Sequence, residues 1–452
     1  MQTRARQEPK GAEMVQKLRD SQWDRNGMVE RILRNVQIPH MATISQQLES
    51  AKVEDIEAHI QREIEKADIA ETLQPGMKIA ITVGSRGIGS ITGIISSIVR
   101  AVKQHGGEPF IVPAMGSHGG ASAAGQRELV ESLGVREDTV GAPIRATMDT
   151  VVVGKTAAGQ EVHVDAYAAA ADGIIVAGKV QLHPSFRGEY ESGLMKMMAI
   201  GLGKQRGAQI CHAEGFGKMA EYVPAFGKVV LEKAPVLFGM AIVENGLHEP
   251  YLIEAIPSNR IAEREPQLLE LSTELMARIP FEQIDVLIVD RIGKNISGDG
   301  MDPNVTGSCA TPFGGGGPDV NRYVVLDITD ESHGNGLGIG MSDFSTKRVF
   351  DKLDFDMMYP NSLTSTVPGP SRLPMVMHDD CTAIKAAIHT ANVPDAKDLR
   401  IVRITDSAHL SRIMVSAALL PATREQSGLE IVEQPRDLEF DENGVLIGLG
   451  EL

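Results

Sequence analysis

The amino-acid sequence predicts an α/β protein made of two α/β domains behind an N-terminal helical leader. Three observations carry that expectation. With 452 residues the chain is longer than one core ordinarily serves, about 100 to 200 residues. A buried-strand run, a glycine-rich turn and a helix-favouring stretch succeed one another twice between residues 78 and 133, the signature of a largely parallel sheet. A second series of the same kind starts after Pro280.

Residues 11 to about 72 are charged and helix-favouring, with Val53, Ile56, Ile60 and Ile64 at helical spacing. Residues 1–74 are therefore expected as an amphipathic leader packed on the first domain. Residues 78–83 read as a strand, Gly84 to Gly89 as a turn, and 91–102 as a helix. A strand at 109–112 runs into Gly116-Ser117-His118-Gly119-Gly120, with a helix following to Leu133. Residues 173–180 form a third strand whose exit carries His183, and the first domain is drawn over 75–280. A helix at 260–278 precedes the strand 284–289, which opens the second domain, 281–452. There follow the glycine run 314–317, a strand at 323–328, helices near 345–353 and 382–390, a strand at 399–404 and a helix after Ser407.

The balance of 44 basic against 60 acidic side chains, a formal charge of −16, repels phosphate backbones and anionic membrane surfaces. Nucleic acid is excluded as an expected partner. Cys211, Cys309 and Cys381 form no CxxC pair, which argues against a disulfide framework or a thiolate zinc site and fits a reducing cytoplasm. The start of the chain lacks the apolar segment of a secretory signal, and no apolar run is long enough to span a bilayer.

The candidate chemistry gathers at strand exits. Ligands in such folds bind at the loops beyond the carboxyl ends of the strands, where Arg86, His118 and His183 all fall. Arg86, between Gly84 and Gly89, has a planar fork suited to a carboxylate, although a solvent-facing turn arginine is as good a description. His118 stands among small neighbours, and His183 is held extended by Pro184; each is as readily a plain loop or structural histidine. Lys196, in Leu194-Met195-Lys196-Met197-Met198, has apolar neighbours that lower an amine pKa, against the blander reading of a lysine reaching out from a helix face. His212 follows Cys211, but adjacent residues in regular structure point apart, so joint metal ligation is disfavoured. His163 alternates like a strand residue and reads as structural. Two histidines and an arginine suit inversion of a carbinol carbon beside a carboxylate, which needs a proton acceptor on each face and a cation for the carboxylate. Removing the α-hydrogen as hydride avoids a second negative charge and calls for an electrophilic cofactor.

At these residues the chain resembles the nickel-dependent lactate racemase family. Ser192-Gly193-Leu194-Met195-Lys196 is similar to the family's S-G-G-R-K segment, and His212 lies at the family's spacing beyond the lysine. The resemblance implies a nickel-pincer nucleotide in an interdomain cleft, covalently attached at Lys196, contacted by Ser192 and Gly193, with nickel held by His212. Gly116-Ser117-His118-Gly119 resembles the G-T-H-R loop, making His118 and His183 the implied acid/base pair, and Val83-Gly84-Ser85-Arg86 partly matches D-x-T-R, making Arg86 the implied carboxylate holder. Val83, Met195 and Gly119 replace charged residues of the family pattern, and the His183–Lys196 spacing is longer. These departures lead to the expectation of a roomier pocket and an α-hydroxy acid larger than lactate, such as a sugar acid. Arg187, Glu189 and Glu191 are where altered substrate choice is expected, while Lys294, Asp299 and Asp302 are expected to reach cofactor or substrate from the second domain.

The expected activity is that of a cytoplasmic racemase or epimerase. Its expected partners are a small 2-hydroxy acid and the cofactor-synthesis enzymes, with no nucleic acid or membrane and with homo-oligomerisation left open. Two other readings remain. One is a metal-dependent hydrolase or lyase with His118, His183 and His212 as direct ligands; the other is a nucleotide- or nickel-binding protein without turnover.

Overall fold

The computed structural model describes residues 27–85 and 88–452, so Arg86 and residues 1–26 of the expected leader lie outside the described residues. Among the described residues, fifteen strands follow in chain order: β1 (Met41–Gln46), β2 (Lys78–Val83), β3 (Glu108–Pro113), β4 (Thr150–Lys155), β5 (Glu161–Asp165), β6 (Gly173–Lys179), β7 (Val236–Glu244), β8 (Pro250–Pro257), β9 (Gln283–Ile292), β10 (Asp319–Ile328), β11 (Phe344–Thr346), β12 (Met375–Met377), β13 (Ile401–Ile404), β14 (Arg412–Ser416) and β15 (Leu429–Arg436). A five-stranded sheet has the order β3-β2-β6-β7-β8, and an eight-stranded sheet the order β12-β11-β10-β9-β13-β14-β1-β15; β4 and β5 form a separate hairpin. The first four strands of the smaller sheet run parallel and β8 antiparallel. The larger sheet is parallel from β12 to β13 and antiparallel from there to β15.

Both sheets are α/β because their central strands are buried on both faces. Ile79, Ile81 and Val83 of β2 pack into one cluster while Ala80, between them, packs into the other. Leu287 and Val289 of β9 likewise oppose Val286 and Ile288. Alternating side chains that are all apolar require cover on each side, and helices supply it. The helix Ile91–Gln104 turns Ile91, Ile94, Ile95, Ile98 and Val102 onto one face of the smaller sheet. The helix Ile261–Leu275 covers the other with Ile261, Leu268 and Leu269.

Three expectations need correction. The leader is helical at Met28–Leu33 and Ile56–Ile64, but Met41–Gln46 is a strand inserted between β14 and β15 of the larger sheet. Its Met41, Ala42 and Ile44 are fully buried there, so this segment belongs to the opposite end of the chain rather than to the first sheet. The stretch after Ser407 forms β14 before any helix, which begins only at Leu420, because Ile413 and Val415 alternate into one core and Met414 into the other. The segment near 345–353 starts as β11, with Lys347–Lys352 helical behind a Thr346 cap. Among the described residues no helix is long and apolar enough to cross a membrane.

Candidate active site

Strands β3, β2 and β6 lie side by side and parallel, so their carboxyl ends share one edge of the smaller sheet. The loops leaving that edge carry His118 and His183. The turn after β2 is fastened at Gly89, whose N–H donates to Glu244 Oε1 at 2.7 Å. Burial raises the Glu244 pKa, but Lys179, His248 and this N–H outweigh it and hold the carboxyl down at about 2.

His118 is half-buried in a loop folded tightly on itself. Its Nδ1 lies 2.7 Å from the Met115 carbonyl. A carbonyl only accepts, so Nδ1 carries a hydrogen, and in the neutral ring Nε2 is the acceptor nitrogen. Buried Gln126 holds the loop from behind, donating to Gly116 O at 2.8 Å and His118 O at 3.3 Å. Below it lies a fully buried ion pair, Lys204 Nζ to Asp165 Oδ2 at 3.0 Å, with Lys204 also donating to Gln126 Oε1 at 3.0 Å and to Pro113 O. Gly119 has φ +65, and a Cβ there would lie 2.6 Å from Gly125 and Gln126 backbone. Its smallness thus serves packing of the loop on the next helix.

His183 is 7% exposed and sits in a loop closed at its neck by reciprocal bonds between Gln181 and Ser192, at 2.9 and 3.1 Å. The Ser185 N–H donates to His183 Nδ1 at 3.0 Å, which places the hydrogen of the neutral ring on Nε2. The two histidines are therefore set in opposite tautomers. Phe186 packs 4.4 Å from the His183 ring, and Phe216 lies 6.0 Å from His183 and 5.3 Å from His212, so one aromatic ring neighbours both imidazoles.

Lys196 ends a short helical turn, Leu194–Lys196, that continues as a π-helix over Met197–Gly201. Such π-turns break the ordinary hydrogen-bond register and recur at functional sites. The chain then bends at Lys204, φ +53, into the helix Lys204–His212, which brings His212 back toward Lys196. Burial first, and then the Lys196 charge, pull the His212 pKa down to about 4, so the ring is neutral at physiological pH. His212 Nδ1 is buried without a hydrogen-bond partner, as is Ser192 Oγ. Cys211 points into the core, and burial pushes its thiol up to about 12, leaving it unsuited to act as a thiolate ligand.

Glu265, 1% exposed, escaped the sequence analysis. Its Oε2 accepts the Met195 N–H at 2.9 Å, supplying the start of the Lys196 turn with the cap that Gly193 has no side chain to provide. A Cβ on Gly193 would lie 2.3 Å from Glu265 Oε1, which explains that glycine from within the protein. Burial raises the Glu265 pKa to about 7 against the pull of the Met195 and Leu194 N–H groups. Met195 is itself fully buried in the core. Neither Gly119 nor Met195 therefore enlarges the cleft, and the expectation of a roomier pocket loses those two supports.

The larger sheet closes over the His183 loop. Ser185 Oγ donates to Asp299 Oδ2 at 3.2 Å, and Thr311 Oγ1 donates to Ser185 O. Asp302 caps the turn Pro303–Thr306 through the Asn304 N–H at 2.9 Å. Lys294 donates from Nζ to Gly298 O at 2.5 Å, within its own glycine-rich loop. Arg187 and Glu191, expected to tune substrate choice, build the loop instead: Glu191 Oε2 accepts the His183 N–H at 2.6 Å, and Arg187 Nη1 donates to His183 O at 2.6 Å. Glu189 is exposed.

The donors suit the implied cofactor. A nickel ligand must be a neutral imidazole with an available nitrogen, and His212 has a depressed pKa and an orphaned buried Nδ1. Lys196 lies near enough to perturb it. Three protein ligands converging on one metal are not found: among the described residues no group of three His, Cys, Asp or Glu side chains is so arranged, which does not support His118, His183 and His212 as one ligand set.

No curated protein matches the chain. The structure of the lactate racemase apoprotein from Thermoanaerobacterium thermosaccharolyticum aligns with a TM-score of 0.46 and 12% identity, over 74% of this chain and 83% of that one. The family model of the lactate racemase N-terminal domain matches residues 31–221, which hold His118, His183, Lys196 and His212. Over those residues the chain is similar to the lactate racemase N-terminal domain.

Proposed function

We propose that the protein is a cytoplasmic racemase or epimerase that inverts the carbinol carbon of an α-hydroxy acid, with a nickel-pincer nucleotide held by Lys196 and His212. The observation that carries this reading is the grouping around one sheet edge of two oppositely tautomeric histidines with a lysine and a neutral, orphaned histidine. When bound, the nucleotide supplies an electrophilic acceptor for the α-hydrogen as hydride. His118, with its Nε2 lone pair, takes the proton of the substrate hydroxyl. His183 meets the substrate oxygen from its own side with Nε2–H as a hydrogen-bond donor. Phe186 and Phe216 wall off the His183 side from water, which strengthens each polar contact there. Arg86 is the proposed holder of the substrate carboxylate and Lys294 a proposed contact to the cofactor or to substrate hydroxyls, and the proposed substrate is an α-hydroxy acid larger than lactate, such as a sugar acid.

The test is production of the chain together with the cofactor-synthesis enzymes. The expected result is nickel in the protein, a mass increment on Lys196, and stereochemical exchange within a panel running from lactate to sugar acids. His118→Ala and His183→Ala are expected to keep the nickel and lose about 10²- to 10⁴-fold in rate. Absence of both nickel and the mass increment would sink the proposal. Activity confined to lactate would overturn the sugar-acid part alone.

A further inference from the structure

We propose that Arg187 is a positioning residue that seats His183 by fastening its loop to the larger-sheet half of the molecule, so that His183 is in place only when the two halves are docked. The inference deepens the proposed function and rests on its assignment of His183.

Both terminal nitrogens of Arg187 are engaged, and on opposite sides. Nη1 donates to His183 O at 2.6 Å, to Phe186 O at 3.0 Å and to Glu191 Oε2 at 3.3 Å, all within the His183 loop. Nη2 donates to Asn304 Oδ1 and Gly315 O, both from the larger-sheet half. Asn304 is 1% exposed, and its Nδ2 donates to Asp302 Oδ1 at 2.8 Å, which fixes the amide so that its oxygen faces Arg187. The glycine run 314–317 passes directly beside the guanidinium: the Gly315 carbonyl accepts from Nη2, and a Cβ on Gly316 would lie 3.6 Å from the same nitrogen. A planar fork holds acceptors on two separate terminal nitrogens in one fixed geometry, which the single nitrogen of a lysine does not reproduce. Glu191 completes the arrangement by accepting the His183 N–H and pairing with Arg187, so the backbone on both sides of the His183 ring is tied to one guanidinium. Ser185 to Asp299 and Thr311 to Ser185 are parallel ties, but neither reaches His183 itself.

The experiment compares wild type, Arg187→Met, Arg187→Lys and Asn304→Ala. In the chain without cofactor, hydrogen exchange read by mass spectrometry is expected to quicken at residues 182–191 and at 304–316 together in Arg187→Met. Asn304→Ala, changed on the far side, is expected to quicken 182–191 as well. In the cofactor-loaded chain, Arg187→Met and Arg187→Lys are expected to lose about 10- to 100-fold in kcat, with KM changed less than about threefold and nickel content unchanged. Exchange at 304–316 that stays at the wild-type rate in both Arg187 variants would overturn the latch, as would a kcat fully restored by Arg187→Lys. Should the loaded wild type invert no hydroxy acid, the functional reading fails, while the exchange measurements still decide whether Arg187 joins the halves.

Discussion

The contact between Gly193 and Glu265 offers a quantitative test of how the Lys196 turn is built. Replacing Gly193 by alanine places a methyl group 2.3 Å from Glu265 Oε1 and 2.7 Å from Cδ. The backbone there is extended, φ 172, so the cost is steric alone, and overpacking of this kind costs about 1 to 3 kcal/mol. Glu265→Ala removes the acceptor of the buried Met195 N–H, again about 1 to 3 kcal/mol. The two costs cannot both be incurred in full, because the double variant has no carboxylate for the new methyl to strike. Coupling of about 1 to 3 kcal/mol, in the sense that the double variant is less damaged than the sum, is therefore expected. Native-state hydrogen exchange of residues 193–200 measures the local opening free energy in all four proteins of the cycle. Additivity within about 0.5 kcal/mol would refute the geometry, and with it the view that Glu265 caps this turn across the core.

Two further outcomes follow from buried charge. The Glu265 carboxyl is raised from 4.5 to about 7, so between those values the folded chain holds a proton that the unfolded chain has released, and stability falls as pH rises through that window. Relative to wild type, Glu265→Gln should therefore gain on the order of 3 kcal/mol between about pH 4.5 and pH 7, read by chemical denaturation at each pH; a flat difference would contradict it. Lys204→Met strands Asp165 as an unpaired buried carboxylate and is expected to cost about 3 to 5 kcal/mol, whereas adding Asp165→Asn recovers much of that loss. Exchange at residues 114–122 should quicken in the single variant because Gln126 loses its Lys204 partner beneath the His118 loop; unchanged exchange would show that the ion pair does not support that loop.

What the sequence discloses depends on whether a residue's neighbours are local. The strands β2, β6 and β9 are legible because burial on both faces leaves an unbroken apolar run, and the glycine and proline punctuation around His118 and His183 marks the loops that leave the sheet edge. β1 is illegible because its partners lie in β14 and β15, at the other end of the chain, and six mixed residues announce no such pairing. Glu265 stands in Ala262-Glu263-Arg264-Glu265-Pro266, where it looks like another surface charge; only the fold turns it inward while Arg264 pairs outside with Glu254. Lys204 is hidden in the same way, since nothing near it in sequence foretells Asp165 or Gln126. Arg187 is the most instructive case. A cation beside an acid/base candidate invites a substrate role, yet its donors are already committed to carbonyls and an amide from both halves. The groups proposed to handle protons are thus readable from residue types, while the residues that position them are readable only from the contacts that hold them.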